Sequence, residues 1–288
     1  MIAAQDIARA RSFNRLVTRH VGALTDRHLG RRPLAELRVL FEIGAEGATP
    51  RDIRVRLGLD SGYVSRMIGA LKRDGLIAAE PDPADRRTSR LRVTAAGRAE
   101  MRELDRLTDE QVAATFATLS DEQQARLVRA QAEVRRLLAL ALVSIEPEDP
   151  DSADARWCLN HYFAELTERF EPQFDPQRTL PAGRLDVFVV ARLTGQPAGC
   201  GGLKTLAPGV GELVRMWIDR PHRGLGIGTR LLESLEAEAG ARGHTTLRLY
   251  TNRSLAEAQA MYKRHGYAEI ERYNADPCAT NFFEKTLG

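Results

Sequence analysis

The chain has 288 residues, 43% of them hydrophobic, with 42 Lys and Arg against 39 Asp and Glu and a net charge of +3. Such a length exceeds one usual domain and the apolar share suffices for packed cores, which argues against disorder and for two domains. No apolar run approaches the roughly 18 residues of a membrane helix, and the mixed, charged Met1 to Arg11 does not read as a secretion signal, so a soluble cytoplasmic protein is expected.

Charge is unevenly spread. Residues 1–145 carry 25 Lys and Arg against 19 Asp and Glu, whereas residues 146–288 carry 17 against 20, so any polyanion contact belongs to the first half. Cys158, Cys200 and Cys278 are far apart and lack metal-ligand spacing, which predicts reduced thiols, no disulfide framework and no metal site.

In chain order, helical periodicity covers Asp6 to Leu29 and Leu34 to Ile43. Thr49-Pro50-Arg51-Asp52 then reads as a helix start, with Thr49 as N-cap, and Gly58 as its stop. A second short helix runs from Asp60 or Ser61 to Arg73. Its Val64, Ile68 and Leu71 share one face and leave Gly62, Ser65, Arg66, Gly69 and Arg73 on the other, with Tyr63 on the flank. A small, polar, basic face without bulk is what a recognition helix needs to enter a major groove. Leu76 to Ala79 and Ser89 to Val93 predict a hairpin with Asp82 to Arg87 at its tip and Arg90 and Arg92 on its outer side, which suits a minor groove. Long helices follow near 94–117 and 120–140.

The strings Leu71-Lys72-Arg73-Asp74-Gly75-Leu76-Ile77, Asp82-Pro83-Ala84-Asp85-Arg86-Arg87 and Leu91-Arg92-Val93-Thr94-Ala95-Ala96-Gly97-Arg98 resemble the winged-helix core of MarR regulators over roughly residues 5–142. The resemblance implies binding of double-stranded DNA at a palindromic operator. Ser61, Tyr63, Ser65, Arg66, Arg86, Arg87 and Arg90 would form the contact surface, and the first and last long helices would build a homodimer. One departure is Ala78-Ala79-Glu80, where the family often places a basic residue.

Glu146 to Ser152, acidic and proline-containing, reads as the link between domains 1–143 and 144–288. Beyond it, Asp186 to Leu193, Ala198 to Thr205, Glu212 to Ile218, Thr246 to Tyr250 and Phe282 to Thr286 predict strands, with helices near 152–170, 228–241 and 254–265. The stretch from Trp217 into Arg223-Gly224-Leu225-Gly226-Ile227-Gly228-Thr229 and on to Leu231, Leu232 and Leu235 reads strand, glycine loop, helix. Such glycines let backbone N–H groups approach a pyrophosphate, and the helix N-terminus adds partial positive charge. The string lacks the Gly-Lys-Ser/Thr ending of a nucleoside triphosphate loop and the G-x-G-x-x-G spacing of a dinucleotide fold.

The Arg-x-x-Gly-x-Gly string, Ile218 five residues before it, and Ala258-Gln259-Ala260-Met261-Tyr262-Lys263-Arg264-His265-Gly266-Tyr267 together resemble the GNAT superfamily from about Val143 to Leu287. The expected fold class is therefore multidomain: a mainly-α winged helix-turn-helix, then an α/β (α+β) acyl-CoA N-acyltransferase domain with a central mixed sheet. The resemblance implies acetyl-CoA as co-substrate, held by Met216, Trp217, Ile218, residues 223–229, Asn252, Ser254 and Tyr262. Tyr262, on a helix opening with the capping box Ser254-x-x-Glu257, would protonate the coenzyme sulfur, and Glu212 would be the general base, through water. A backbone N–H near Trp217 or Ile218, freed by a strand irregularity, would meet the oxyanion. His161, His222 and His244 read as structural. Phe170 to Pro176, with Cys278, Asn281 and Phe282, would line the site of an amine acceptor, a small molecule favoured over protein lysine. The expected protein is a bifunctional N-acetyltransferase and DNA-binding regulator. The alternative is a transcription factor whose second domain only senses acetyl-CoA or an amine.

Overall fold

The computed structural model describes residues 2–21, 32–44, 47–81, 89–170, 174–175 and 184–288. The chain packs as two units, Met1–Arg126 and Leu127–Gly288, and the division falls inside a helix. Arg86 and Arg87, expected at the tip of the wing, lie outside the described residues.

The first unit contains α1 (Ala4–His20), α2 (Leu34–Ile43), α3 (Pro50–Leu57), α4 (Ser61–Arg73), a hairpin of β1 (Ile77–Pro81) and β2 (Ser89–Val93), α5 (Ala95–Phe116) and the start of α6 (Asp121–Leu142). The cap expected at Thr49 forms a full box: Asp52 N–H donates to the Thr49 hydroxyl at 3.2 Å and Thr49 N–H to the Asp52 carboxylate at 2.9 Å. Asp60 caps α4 by accepting the Tyr63 amide at 2.8 Å. Between these caps Gly58, at φ 62°, makes the left-handed turn that separates the helices. Leu40, Ile43, Ile53, Val64, Ile68, Leu71 and Leu91 close one core under both helices and the hairpin. Gly97 is fixed by sterics, since a Cβ there would stand 2.1 Å from the Leu76 carbonyl oxygen.

The second unit is a seven-stranded sheet ordered β3-β4-β5-β6-β7-β9-β8. Its elements are β3 (Val143–Pro147), α7 (Ala153–Arg169), β4 (Val187–Leu193), β5 (Gln196–Ala207), β6 (Val210–Ile218), α8 (Ile227–Ala241), β7 (Thr246–Thr251), α9 (Ala256–Arg264), β8 (Ala268–Ile270) and β9 (Asn281–Thr286). Pairing is antiparallel throughout except for β6 with β7, which makes the sheet mixed. Cys158 and Leu159 of α7 pack on Phe188, Val190, Cys200 and Trp217. Leu231, Leu232 and Leu235 of α8 join Leu203, Leu213, Leu247 and Phe283 in a separate core.

Strand β8 was not anticipated, and two expected features take another form. The Glu146-Pro147 stretch, expected as a linker, is the end of edge strand β3, in register from Val143 opposite Leu193 to Pro147 opposite Val189. Proline is compatible with that place because an edge strand has one side free of ladder donors. The expected capping box Ser254-x-x-Glu257 does not form. Helix α9 begins at Ala256 with Leu255 at its N-cap and no side-chain cap. The Ser254 amide goes instead to Asn252 Oδ1 at 2.9 Å, and Glu257 pairs with Arg169 at 2.9 Å.

Two irregularities of β6 open the sheet. Its parallel pairing with β7 extends only from Val210 opposite Thr246 to Glu212 opposite Arg248, after which the strands part. Its register with β5 shifts between Gly202–Val214 and Cys200–Trp217, and within that shift Arg215 takes φ 57°. Residues 213–218 thus border open space on the side where a paired strand would lie.

Candidate functional site

The glycine loop connects the end of β6 to α8 through a single 3-10 turn at Arg220–His222. Gly224 and Gly226 take φ of 75° and 84°, conformations open to glycine at little cost, and Gly226 is the N-cap of α8. The amides of residues 224–229 have no hydrogen-bond acceptor among the described residues. They sit at a helix N-terminus, where N–H groups and the helix dipole favour an anion.

A cavity of about 450 Å³ adjoins this loop, bordered also by Ile218, Tyr262, Arg136 and Arg264. Of the residues expected to hold the coenzyme, Met216, Trp217, Ile218, Arg223, Gly224, Gly226, Ile227, Gly228, Thr229 and Tyr262 line it, whereas Leu225, Asn252 and Ser254 do not. Leu225 is buried in the α8 core. Asn252, 2% exposed, spends its side chain on the Cys278 carbonyl at 2.8 Å and the Ser254 amide. The amide cradle, the positive-φ glycines and the cationic rim fit the pyrophosphate of a coenzyme A thioester.

Beneath the loop is a group that sequence inspection missed. Glu165 of α7 is 7% exposed and accepts the Trp217 indole N–H at 2.9 Å, Arg223 Nη2 at 2.5 Å and Arg169 Nη1 at 2.9 Å. Burial alone would raise its pKa, but these donors, Arg223 foremost, outweigh burial and hold the carboxyl at about 2. Arg223 also donates to the Ile218 carbonyl at 2.8 Å, so its side chain is a brace between strand, loop and α7. Arg169 extends the brace by donating to the Ser254 carbonyl at 2.6 Å, just before α9, and to Glu257 of α9 at 2.9 Å. The only local signal was the i,i+4 pair Glu165 and Arg169; their other partners lie more than fifty residues away.

A second cavity, about 230 Å³, occupies the split between β6 and β7. Tyr262 borders both cavities and is 5% exposed. Burial pushes its phenol above the usual tyrosine value, so it keeps its proton. Of the expected acceptor-site residues, Phe170, Phe174 and Cys278 line this second cavity, while Asn281 and Phe282 do not; residues 171–173 and 176 lie outside the described residues. Arg215, Tyr250 and Asp276 also line it and were not anticipated. Glu212 borders neither cavity. It is 1% exposed, paired with Lys204, and accepts the Tyr273 hydroxyl at 2.7 Å. Lys204 itself lines the second cavity.

In the first unit, α4 turns Val64, Met67, Ile68 and Leu71 into the core and leaves Ser61, Gly62, Tyr63, Ser65 and Arg66 exposed. The Arg66 guanidinium lies 5.6 Å over the Tyr63 ring. Ser61, Ser65 and Lys72 share a cleft with Arg51 and Arg54 of α3. Arg90 is part-buried and donates to the Gly47 carbonyl at 3.0 Å, so it braces the hairpin against the start of α3. Arg92 pairs with Glu80 at 3.0 Å, which places an acid at the departure from the family pattern.

A model of the acetyltransferase (GNAT) family matches residues 136–267. Over 104 residues, 35% of this chain and 67% of the relative, the sequence is 39% identical to an IAA acetyltransferase of Azospirillum brasilense. The chain belongs to the acetyltransferase (GNAT) family. A MarR family model matches residues 32–88, so this GNAT protein carries a MarR-like winged helix ahead of its acetyltransferase unit. Solved GNAT structures are similar to it as well: a GNAT-family acetyltransferase of Staphylococcus aureus Mu50 (19% identity, 51% of this chain and 99% of that one, TM-score 0.45) and an IAA acetyltransferase of Bacillus cereus (19% identity, 50% and 99%, TM-score 0.39). Among the described residues of the GNAT protein no helix is long and apolar enough to cross a membrane, and no group of three or more His, Cys, Asp or Glu could hold a metal ion.

Proposed function

We propose that the second unit acetylates a small primary amine with acetyl-CoA. The observation that carries this reading is Tyr262, a buried phenol bordering both the cavity beside the glycine loop and the cavity in the sheet split. Bound acetyl-CoA supplies a thioester whose acetyl carbon joins the acceptor nitrogen as the carbon–sulfur bond breaks. The amides of residues 224–229 would hold the pyrophosphate, and Arg223, fixed by Glu165, would keep the loop in place. Tyr262 Oη would give its proton to the departing sulfur, and its raised pKa keeps that proton available at neutral pH. The backbone at Trp217 and Ile218, beside the register shift, would meet the oxyanion. Glu212 would take the ammonium proton through a relay of water or Lys204, since its own carboxylate borders neither cavity.

The first unit is proposed to bind double-stranded DNA at a palindromic site as a homodimer, which would make the protein bifunctional. In support, α4 exposes Ser61, Tyr63, Ser65 and Arg66, and α1 leaves Phe13, Leu16 and Val17 uncovered as material for a two-fold interface. The test is acceptor-dependent thiol release from acetyl-CoA by the full chain, alongside DNA binding at varied salt. Coenzyme binding without release from any amine would replace the enzyme reading with that of an acetyl-CoA sensor.

A further inference from the structure

The acceptor cavity presents charges of both signs inside an aromatic wall. At about 230 Å³ it is smaller than the roughly 300–1,000 Å³ typical of drug-sized sites, so it suits a compact substrate. One side is apolar: the Phe163 and Phe174 rings stack with centroids 5.7 Å apart, and Phe170 meets Phe174 edge-on at 6.2 Å. Two cations line it: Lys204, paired with Glu212, and Arg215, whose guanidinium lies 5.8 Å over the Phe163 ring. The strand irregularity explains its place, because the backbone turn at φ 57° interrupts the ladder where Arg215 borders the cavity. The anion is Asp276, whose carboxylate accepts the Cys278 amide N–H at 2.8 Å. Tyr162, Tyr250 and Tyr262 add phenol groups to the same lining.

A ligand complementary to this lining carries an ammonium, a carboxylate and a compact apolar or aromatic group. We propose that the acceptor is a free α-amino acid with a large apolar or aromatic side chain, its amine facing Asp276, its carboxylate facing Arg215 and its side chain against Phe163 and Phe174. This rests on the acetyltransferase reading above and narrows its substrate. Polyamines and aminoglycosides match the lining poorly, because one cavity carboxylate cannot neutralise several ammonium groups while a guanidinium stands beside them. A lysine side chain of a protein brings the amine without the carboxylate.

The test compares L-phenylalanine, phenethylamine, 3-phenylpropanoate and spermidine on the full-length protein. Expected is thiol release with L-phenylalanine at a kcat/KM about tenfold or more above that with phenethylamine, the factor that one charge-assisted contact supplies. 3-Phenylpropanoate should compete with L-phenylalanine and leave the KM for acetyl-CoA unchanged. Arg215→Gln should shrink the preference for L-phenylalanine over phenethylamine at least about tenfold. Should that variant fold poorly, Asp276→Asn should weaken both amines while inhibition by 3-phenylpropanoate persists. Equal or better use of phenethylamine or spermidine would overturn the amino-acid assignment and leave the transferase intact. Absence of release with every amine, despite bound acetyl-CoA, would overturn both.

Discussion

The Trp217 indole N–H points into the Glu165 carboxylate, 2.9 Å away, and the same carboxylate holds Arg223 at the base of the glycine loop. One buried charge therefore organises both the end of β6 and the loop that follows it. Glu165→Gln removes that charge and leaves Arg223 and Arg169 undercompensated. Stability of the second unit should fall by about 3 kcal/mol, and the KM for acetyl-CoA should rise roughly tenfold with a much smaller change in kcat. Chemical unfolding and thiol-release kinetics measure the two effects. An unchanged KM would mean that Arg223 does not position the loop.

The same network sets an acid limit. With its folded pKa held at about 2 against an ordinary 4.5, Glu165 contributes stability that is complete above pH 4.5 and is lost as pH falls toward 2. The wild type should lose stability steeply over that window, whereas Glu165→Gln should show a flatter profile. Tryptophan emission during acid titration reports the difference, since Trp217 is a direct partner.

For Tyr262→Phe the expected outcome is a rate lowered more than about tenfold with coenzyme affinity nearly intact, because packing is retained and only the acidic proton is lost. The phenol is raised above its usual value, so its proton is present throughout the neutral and mildly alkaline range and is lost only at higher pH. A rate equal to wild type would remove Tyr262 from the chemistry.

On the winged helix, Arg66→Ala should weaken DNA binding and lower the salt dependence by about one unit if the guanidinium meets a phosphate. Arg87→Ala, at the residue that the MarR resemblance makes a wing arginine, should do the same. Fluorescence anisotropy at several salt concentrations gives both slopes, and parallel slopes for variant and wild type would place these side chains off the DNA.

Gly97→Ala tests the close contact between the N-terminus of α5 and Leu76, the residue before β1. The added Cβ would meet the Leu76 carbonyl at 2.1 Å, a backbone clash that a rotamer change cannot relieve. The first unit should lose about 3 kcal/mol, measured by its thermal unfolding, with acetyl transfer unaffected.

Sequence reading captured what is encoded locally. The caps at Thr49 and Gly58, the polar face from Ser61 to Arg66 and the loop from Arg223 to Thr229 are short strings whose chemistry dictates their geometry, and each appears as expected. Strand β3 was obscured because Pro147 and its acidic neighbours look like linker, while the property that accommodates them is edge position in a sheet. Glu165, Arg215 and Asp276 were invisible for a different reason. The partners of Glu165 come from distant segments, and no spacing in the chain announces a contact between α7 and the glycine loop or that a bulged strand and residue 276 line one cavity. The capping box at Ser254 shows the converse: the right residues at the right spacing gave way to stronger partners, Asn252 and Arg169.

Two residues other than glycine hold positive φ, Thr194 at 50° in the exposed turn between β4 and β5, and Arg215 at 57° in the bulge of β6. Either conformation costs an L-residue about 1 kcal/mol; glycine would relieve that strain but adds a comparable unfolded-state entropy. At Thr194 the exchange is therefore close to neutral, whereas Arg215→Gly would also forfeit the packing of the guanidinium on Phe163 and remove it from the acceptor cavity. A lineage drifting at both positions would keep glycine at 194 and lose discrimination among amines at 215.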